Sequence, residues 1–203
     1  MPINDAKIIL FARAPVKGQV KTRLAVSVGE DVALGIYVEM LELTFRAVLA
    51  TGFRVSAFVD EPENSYFAKW QQQGVKLFSQ SGADLGQRMY DALVHQQRKN
   101  GPVLLLGSDC PQISSTLINR VVHLLASQNE VVIVPSNDGG YVLIAFASKV
   151  RKELFEDISW STDRVLEQTI AKLKMLSLSY HLLEPLLDID TVEDYQYWLS
   201  ISQ

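Results

Sequence analysis

Hydrophobic and polar positions follow two patterns along the chain. Some short runs are apolar almost throughout, while longer stretches between them are apolar at helical spacing. Lys7 to Ala12 (KIILFA), Pro102 to Leu106 (PVLLL) and Glu130 to Val134 (EVVIV) are runs of the first kind. Being apolar throughout rather than alternating, they predict strands covered on both faces. Phe53 to Val59, Val75 to Phe78, Tyr141 to Phe146 and Met175 to Leu183 read as further strands. Glu30 to Ala50 carries Val32, Ile36, Met40, Leu43 and Ala47 at helical spacing, with Gly52 as a stop signal. Pro62 to Gln73, Leu85 to Gln97, Ser114 to Ala126, Thr162 to Leu173 and Thr191 to Ile201 predict the other helices. Residues 13 to 24, containing Pro15 and Gly18, read as a loop.

Alternation of buried strands with helices predicts an α/β three-layer sandwich with a mostly parallel central sheet. The 203 residues fit a single domain spanning the chain, with no internal repeat, low-complexity stretch or linker. In such sheets ligands lie beyond the carboxyl ends of the strands. The residues just after each strand are therefore the candidates for chemistry.

Composition narrows the classes. With 48% hydrophobic and 21% charged residues, the chain reads as an ordinary globular protein, not a disordered, collagen-like or coiled-coil one. No stretch approaches the roughly 20 apolar residues of a membrane span. Met1 to Phe11 lacks the basic, apolar and small-residue order of a secretory leader. A single cysteine, Cys110, excludes an internal disulfide and a Cys-rich zinc site. His95, His123 and His181 match no zinc-ligand spacing. These features predict a cytoplasmic protein. The net charge of −4 argues against nucleic acid as a partner. It is unevenly spread: Lys7, Arg13, Lys17, Lys21 and Arg23 face only Asp5 in the first 24 residues. Such a basic cluster in an acidic protein fits a small anionic ligand, or is simply a solvated loop.

Four strand ends carry distinctive residues. After the first strand, Arg13, Lys17, Lys21 and Arg23 surround Gly18, a set suited to a di- or triphosphate. The segment is neither a Walker A loop nor a G-x-G-x-x-G fingerprint. After the PVLLL strand comes Gly107-Ser108-Asp109-Cys110-Pro111, where Asp109 is a candidate Mg²⁺ ligand beside substrate phosphates. Its alternative is a turn or helix cap, a task for which Ser114 or Ser115 is better placed. Cys110 has no histidine partner nearby in sequence and reads as a small buried residue. The third segment, Asn137-Asp138-Gly139-Gly140-Tyr141, is either a hairpin turn or a place where a ligand lies against backbone and Asp138 accepts from its hydroxyls. The fourth is Asp188-Ile189-Asp190-Thr191, with Asp194 three residues on. Thr191 and Asp194 form a helix capping pair. Asp188 and Asp190 precede the helix, and two carboxylates so close call for a cation. Two further stretches are less specific. Arg88, after Gly82-Ala83-Asp84-Leu85-Gly86, meets phosphate or a neighbouring carboxylate. Trp160 stacks on a sugar or base or covers the core, and Ser161 reads as an N-cap.

Taken in order, these segments resemble the bacterial glycosyltransferase-like proteins of the nucleotide-diphospho-sugar transferase superfamily, the selenodomain-associated or arsenosugar-biosynthesis-type transferases. The motifs are F-A-R-A-P-V-K-G-x-V-K-T-R-L (11 to 24), G-x-D-L-G-x-R-M (82 to 89), G-S-D-C-P (107 to 111), D-G-G-Y-x-L-I (138 to 144), W-S-T (160 to 162) and D-I-D-T-x-E-D-Y (188 to 195). The resemblance covers nearly the whole chain and implies a GT-A-like fold. It implies that Arg13, Lys17, Lys21 and Arg23 grip nucleotide phosphates, beside Gly18 whose lack of a side chain permits close backbone approach, and that Asp109 binds a divalent metal, Mg²⁺ or Mn²⁺. It also implies a further metal contact from Asp188, and a sugar or acceptor pocket at Gly139, Gly140 and Tyr141. Trp160, Ser161 and Thr162 are expected at that pocket. One departure bears on the reaction: the glycosyltransferase D-x-D stands here as S-D-C, with one carboxylate. Nucleotidyltransferases of the same fold also use a single Asp there, including the phospholactate guanylyltransferases with their comparable K-T-R-L element.

The expected function is a metal-dependent transferase passing a nucleotide-activated sugar to a small-molecule acceptor, with Asp138 as candidate base if the reaction inverts. The alternative is a nucleotidyltransferase acting on NTP with release of pyrophosphate. A third is a noncatalytic nucleotide-sugar-binding protein.

Overall fold

The computed structural model describes residues 5–97 and 101–201. The first four positions of the N-terminal stretch read above lie outside them. Seven strands form one sheet: β1 (Lys7–Ala12), β2 (Arg54–Val59), β3 (Lys76–Ser79), β4 (Val103–Leu106), β5 (Val131–Pro135), β6 (Tyr141–Phe146) and β7 (Tyr180–Leu182). Their spatial order is β3-β2-β1-β4-β6-β5-β7. All run in one direction except β6, which is antiparallel to both β4 and β5. The expected three-layer, mostly parallel α/β architecture is thus observed.

The helices are α1 (Thr22–Val28), α2 (Glu30–Leu49), α3 (Ala68–Gln72), α4 (Leu85–Gln96), α5 (Ser115–Ala126), α6 (Val165–Met175) and α7 (Val192–Ile201). Side chains of β1 alternate between two cores, as the pleat requires. Ile8, Leu10 and Ala12 pack with Leu24, Met40, Leu41, Trp70 and Val121 from α1, α2, α3 and α5. Ile9 and Phe11 pack on the other face with Met89, Leu93 and Leu173 from α4 and α6. Burying each such aliphatic side chain stabilises the fold by about 1.5–3 kcal/mol. Phe45 and Trp70 add a stacked pair with centroids 4.6 Å apart.

Several boundaries differ from the sequence expectation. Residues 13 to 24 are not all loop, since α1 begins at Thr22. This seven-residue helix buries only Leu24, so no helical stripe marks it in sequence. In place of a helix from Pro62 to Gln73 there is a 3-10 turn at Ser65–Phe67, capped by Asn64, and then the five-residue α3. The helix expected from Thr162 starts at Val165. Ser161 is not its N-cap: it sits in the left-handed region at φ 62°. Thr162 instead closes a local turn, donating to the Ser159 carbonyl and accepting from Arg164 N. The strand expected from Met175 is only Tyr180–Leu182, because α6 continues to Met175 and the chain then turns at Ser177 (φ 54°).

The chain runs from β1 outward to β2 and β3, then returns to place β4 on the other side of β1. The carboxyl ends of β1 and β4 thus form a topological switch point, where connecting segments diverge and leave a crevice.

Candidate functional site

A cleft of about 720 Å³ opens at that switch point. Its walls come from the ends of the parallel strands: Arg13 after β1, Asp60 after β2, Gln80 after β3, and Gly107, Ser108 and Asp109 after β4. Tyr141 and Val142 join because β6 runs backwards and starts at this end. Lys21, Thr22 and Arg23 from the start of α1, Arg88 from α4, Ser161, Asp188 and Asp190 complete it.

Lys21 is the centre of the charged end. Its side chain is only 4% exposed. The ammonium donates to the Ile189 carbonyl at 2.5 Å and to Asp190 Oδ1 at 3.1 Å, and lies 3.3 Å from Asp109 Oδ1. Its backbone is left-handed at φ 47°, which bends the chain into α1. Burial alone would lower the Lys21 ammonium, but the carboxylates of Asp109, Asp188 and Asp190 outweigh it and hold it above its ordinary value. Arg23 Nη1 reaches Asp190 Oδ2 at 3.4 Å from a largely exposed position.

The carboxylates converge because their loops are tied together. Ile189 N donates to the Asp109 carbonyl at 3.1 Å, and Leu187 N to Gln112 Oε1 at 2.8 Å. On the other side, Asn137 N donates to the Leu186 carbonyl at 3.1 Å. As a result Asp138, Asp188 and Asp190 each bring a carboxylate oxygen within 4.8 Å of the others. Oδ1 atoms of both Asp109 and Asp188 are buried and accept no hydrogen bond, although the Lys21 ammonium stands near the first. Burial, then the Asp109 charge, pushes the Asp188 carboxyl up to about 7, with Lys21 opposing and Asp190 and Asp138 adding. Hard oxygen donors, surplus negative charge and orphaned buried oxygens fit an oxygen-seeking divalent cation.

The structure gathers most of the sequence candidates and sets others aside. Arg13, Lys21, Arg23, Arg88, Asp109, Tyr141, Ser161, Asp188 and Asp190 line the cleft. Lys17 turns away to pair with Asp31 of α2 at 2.7 Å, and Gly18 lies beside Glu30. Asp138 is exposed and does not line the cleft, although its carboxylate lies beside those of Asp188 and Asp190. Its Oδ1 accepts from the Ser136 hydroxyl and, at 2.9 Å, from Gly140 N, so the hairpin-turn alternative describes its local role. Gly139 does not give a ligand room: it lies against the Asp163 backbone. Trp160 packs over Gly86 and stacks on Phe155 at 6.4 Å, the core-covering alternative. Thr162 also lies outside the cleft lining.

Three polar cleft residues, Asp60, Gln80 and Tyr37, lie outside the motifs singled out in the sequence. Asp60 and Gln80 follow strands and could have been found by the rule that selected Asp109. Asp60 accepts from Ala14 N at 2.6 Å and Arg13 Nε at 3.3 Å, while Gln80 Nε2 bridges the Ala12 and Phe58 carbonyls, each at 3.0 Å. Tyr37, inside α2, carried no such signal. Its hydroxyl donates to the Arg13 carbonyl and accepts from Arg13 N, both at 2.9 Å. Burial, with the Asp109 charge, pushes that phenol well above its ordinary value.

This is the fold of the nucleotide-diphospho-sugar transferases. A protein of Desulfovibrio desulfuricans G20, provisionally named a nucleotide-diphospho-sugar transferase, superposes with a TM-score of 0.87 at 26% identity, over 98% of this chain and 87% of that one. The chain belongs to the DUF2064 family, described as uncharacterized proteins conserved in bacteria, which it matches over residues 43–162. The 4-diphosphocytidyl-2C-methyl-D-erythritol synthase of Anaerococcus prevotii DSM 20548 shares the fold at a TM-score of 0.66 and 12% identity, over 99% of both chains. Rv0371c of Mycobacterium tuberculosis H37Rv, solved with manganese, shares it at 0.58 and 14% identity, over 97% of this chain and 98% of that one. No curated protein matches the sequence. Among the described residues no helix is long and apolar enough to cross a membrane.

Proposed function

We propose that this protein is a divalent-cation-dependent transferase that takes a nucleotide-activated sugar as donor and a small molecule as acceptor. The observation that carries the reading is the switch-point cleft, where Arg13, Lys21, Arg23 and Arg88 share one cavity with Asp109, Asp188 and Asp190. The likeness to the Desulfovibrio protein supports the donor class. Asp188 and Asp190, with Asp109 across from them, would hold Mg²⁺ or Mn²⁺. Such an ion neutralises charge developing on a departing diphosphate.

The chain's own groups would do the rest. Arg13 is oriented by Asp60 through its Nε, which leaves the outer guanidinium nitrogens for phosphate. Tyr37 fixes the Arg13 backbone from both its N–H and its carbonyl. Arg88 is braced through Nε by the Gly82 carbonyl at 3.2 Å and presents its fork from the other wall. Asp138, whose Oδ1 is held in the turn, keeps Oδ2 to take a proton from an acceptor hydroxyl.

A second reading is nucleotidyl transfer, in which an acceptor attacks the α-phosphorus of NTP and pyrophosphate leaves. The single carboxylate at Asp109 and the fold shared with a diphosphocytidyl synthase favour it. Melting temperature with a panel of nucleotide-sugars and NTPs, with and without Mn²⁺, tests both, because a ligand of the folded state raises it by mass action. A cation-dependent rise with one nucleotide-sugar, lost in Asp109→Asn, and release of nucleoside diphosphate support the first. A rise with NTP and release of pyrophosphate support the second. No rise with any nucleotide at millimolar concentration defeats both.

A further inference from the structure

The buried ammonium of Lys21 lies where the carboxylates most need positive charge. It is 96% withdrawn from solvent on a side chain that starts from a left-handed backbone. Its Nζ donates to the Ile189 carbonyl and to one oxygen of Asp190, and one oxygen of Asp109 stands 3.3 Å away as an ion-pair partner. Asp109 and Asp190 are themselves not buried as whole side chains, with 43% and 38% exposed. Solvent, and any solute cation, can therefore approach the carboxylates from the cleft while the lysine holds them from inside.

We propose that Lys21 is a displaceable internal cation: its ammonium neutralises Asp109 and Asp190 in the ligand-free protein, and a divalent cation binds there only as the lysine is drawn away. The proposal rests on the cation site of the function proposed above and adds an order to its filling. Two positive charges at one carboxylate pair repel, so ammonium and metal compete. A phosphate entering the cleft offers Lys21 a different anionic partner and removes that competition. Metal and phosphate therefore favour each other's binding through the lysine, and the coupling works equally in both directions. Arg23 cannot play this part, being 77% exposed and, among the described residues, paired with Asp190 alone, at 3.4 Å.

The opposing account makes Lys21 a tether that holds the loop after β1 to the segment around Ile189, so that the cation site exists because of it. The two accounts predict opposite signs. Calorimetric titration with Mn²⁺ alone, without nucleotide, compares the wild-type protein with Lys21→Met and Lys21→Arg. Competition predicts tighter Mn²⁺ binding by Lys21→Met, by about 5- to 150-fold, and none of that gain in Lys21→Arg. Equal or weaker binding by Lys21→Met overturns the inference and leaves the cation site standing. Absence of Mn²⁺ binding by all three proteins at millimolar concentration overturns the inference and the cation site together.

A second measurement needs no variant and covers the case in which Lys21→Met does not fold. Acetic anhydride acylates accessible amines, and mass spectrometry of peptides reads Lys21 against Lys17, whose side chain is half exposed. Competition predicts that saturating Mn²⁺ raises acylation of Lys21 several-fold relative to Lys17. Bound Mn²⁺ that leaves Lys21 as protected as before overturns the inference.

Discussion

Gly139 and Asp163 are in backbone contact: a β-carbon on Gly139 would stand 2.1 Å from the Asp163 carbonyl oxygen. Gly139 also has φ +89°, and its carbonyl accepts from Leu166 N at 2.9 Å. The turn carrying Asp138 is thereby pinned to the entry of α6, so acid-cluster geometry depends on a packing contact outside the cleft. Gly139→Ala must both strain its backbone and push this contact apart. It should cost more than about 2 kcal/mol, read as a lowered urea midpoint. A loss below about 0.5 kcal/mol would show that the two segments separate easily.

The same contact illustrates what the sequence could and could not reveal. Strand and helix alternation was plain in runs such as KIILFA and PVLLL, which stand as β1 and β4. The strand-end rule then located Arg13 and Asp109, because parallel strands deliver their carboxyl ends to one side. The capping pair Thr191–Asp194 also forms, with Thr191 Oγ1 donating to Asp194 Oδ2 at 2.8 Å and accepting from Asp194 N. What stayed hidden were contacts between loops distant in sequence. Asp-Gly-Gly next to an acidic residue reads equally as turn or ligand surface until Asp163 is seen against Gly139. Lys17 and Lys21 look equivalent in sequence, yet one pairs with Asp31 at the surface and the other is buried among Asp109 and Asp190. Tyr37 lies on a helix whose apolar spacing makes it another core residue, and only the fold brings its hydroxyl to Arg13.

Cys110 adjoins Asp109, yet its thiol is buried. Burial pushes it up to about 12; backbone N–H groups of Gln112 and Ile113 oppose the shift, and the Asp188 and Asp109 charges add to it. At pH 8 roughly one molecule in ten thousand would carry the thiolate, the reactive form. Alkylation by iodoacetamide should be at least about 100-fold slower in the native protein than in urea. Comparable rates in both would place the sulfur in solvent contact and reopen a nucleophilic role.

Trp160 lies on the helix-entry glycine of α4, since a β-carbon on Gly86 would fall 2.4 Å from the indole Nε1. The half-buried indole packs against Gly86 and Phe155 and does not line the cleft. Trp160→Phe should leave nucleotide affinity within about twofold, because it keeps an aromatic ring at the packing site. A loss of tenfold or more, in a variant whose melting temperature is unchanged, would return Trp160 to the ligand site.

Asp188 gives the protein a pH dependence whose sign can be worked out. Burial and then Asp109 raise its carboxyl from 3.8 in the unfolded chain to about 7 in the folded one. The folded state therefore holds the proton more tightly. Asp188 costs nothing below the unfolded value, and its penalty grows as the pH rises between the two values. Asn keeps the shape and removes the charge. In the presence of a chelator, urea unfolding of wild type and Asp188→Asn should diverge with pH. Relative to wild type, the variant should gain more than about 1 kcal/mol between pH 5 and pH 8. Adding Mn²⁺ at pH 8 should reverse the ranking, since the cation stabilises only a protein that keeps the carboxylate. Parallel pH profiles in chelator would mean that Lys21 already neutralises Asp188 in full, leaving no charge excess for a divalent cation to relieve.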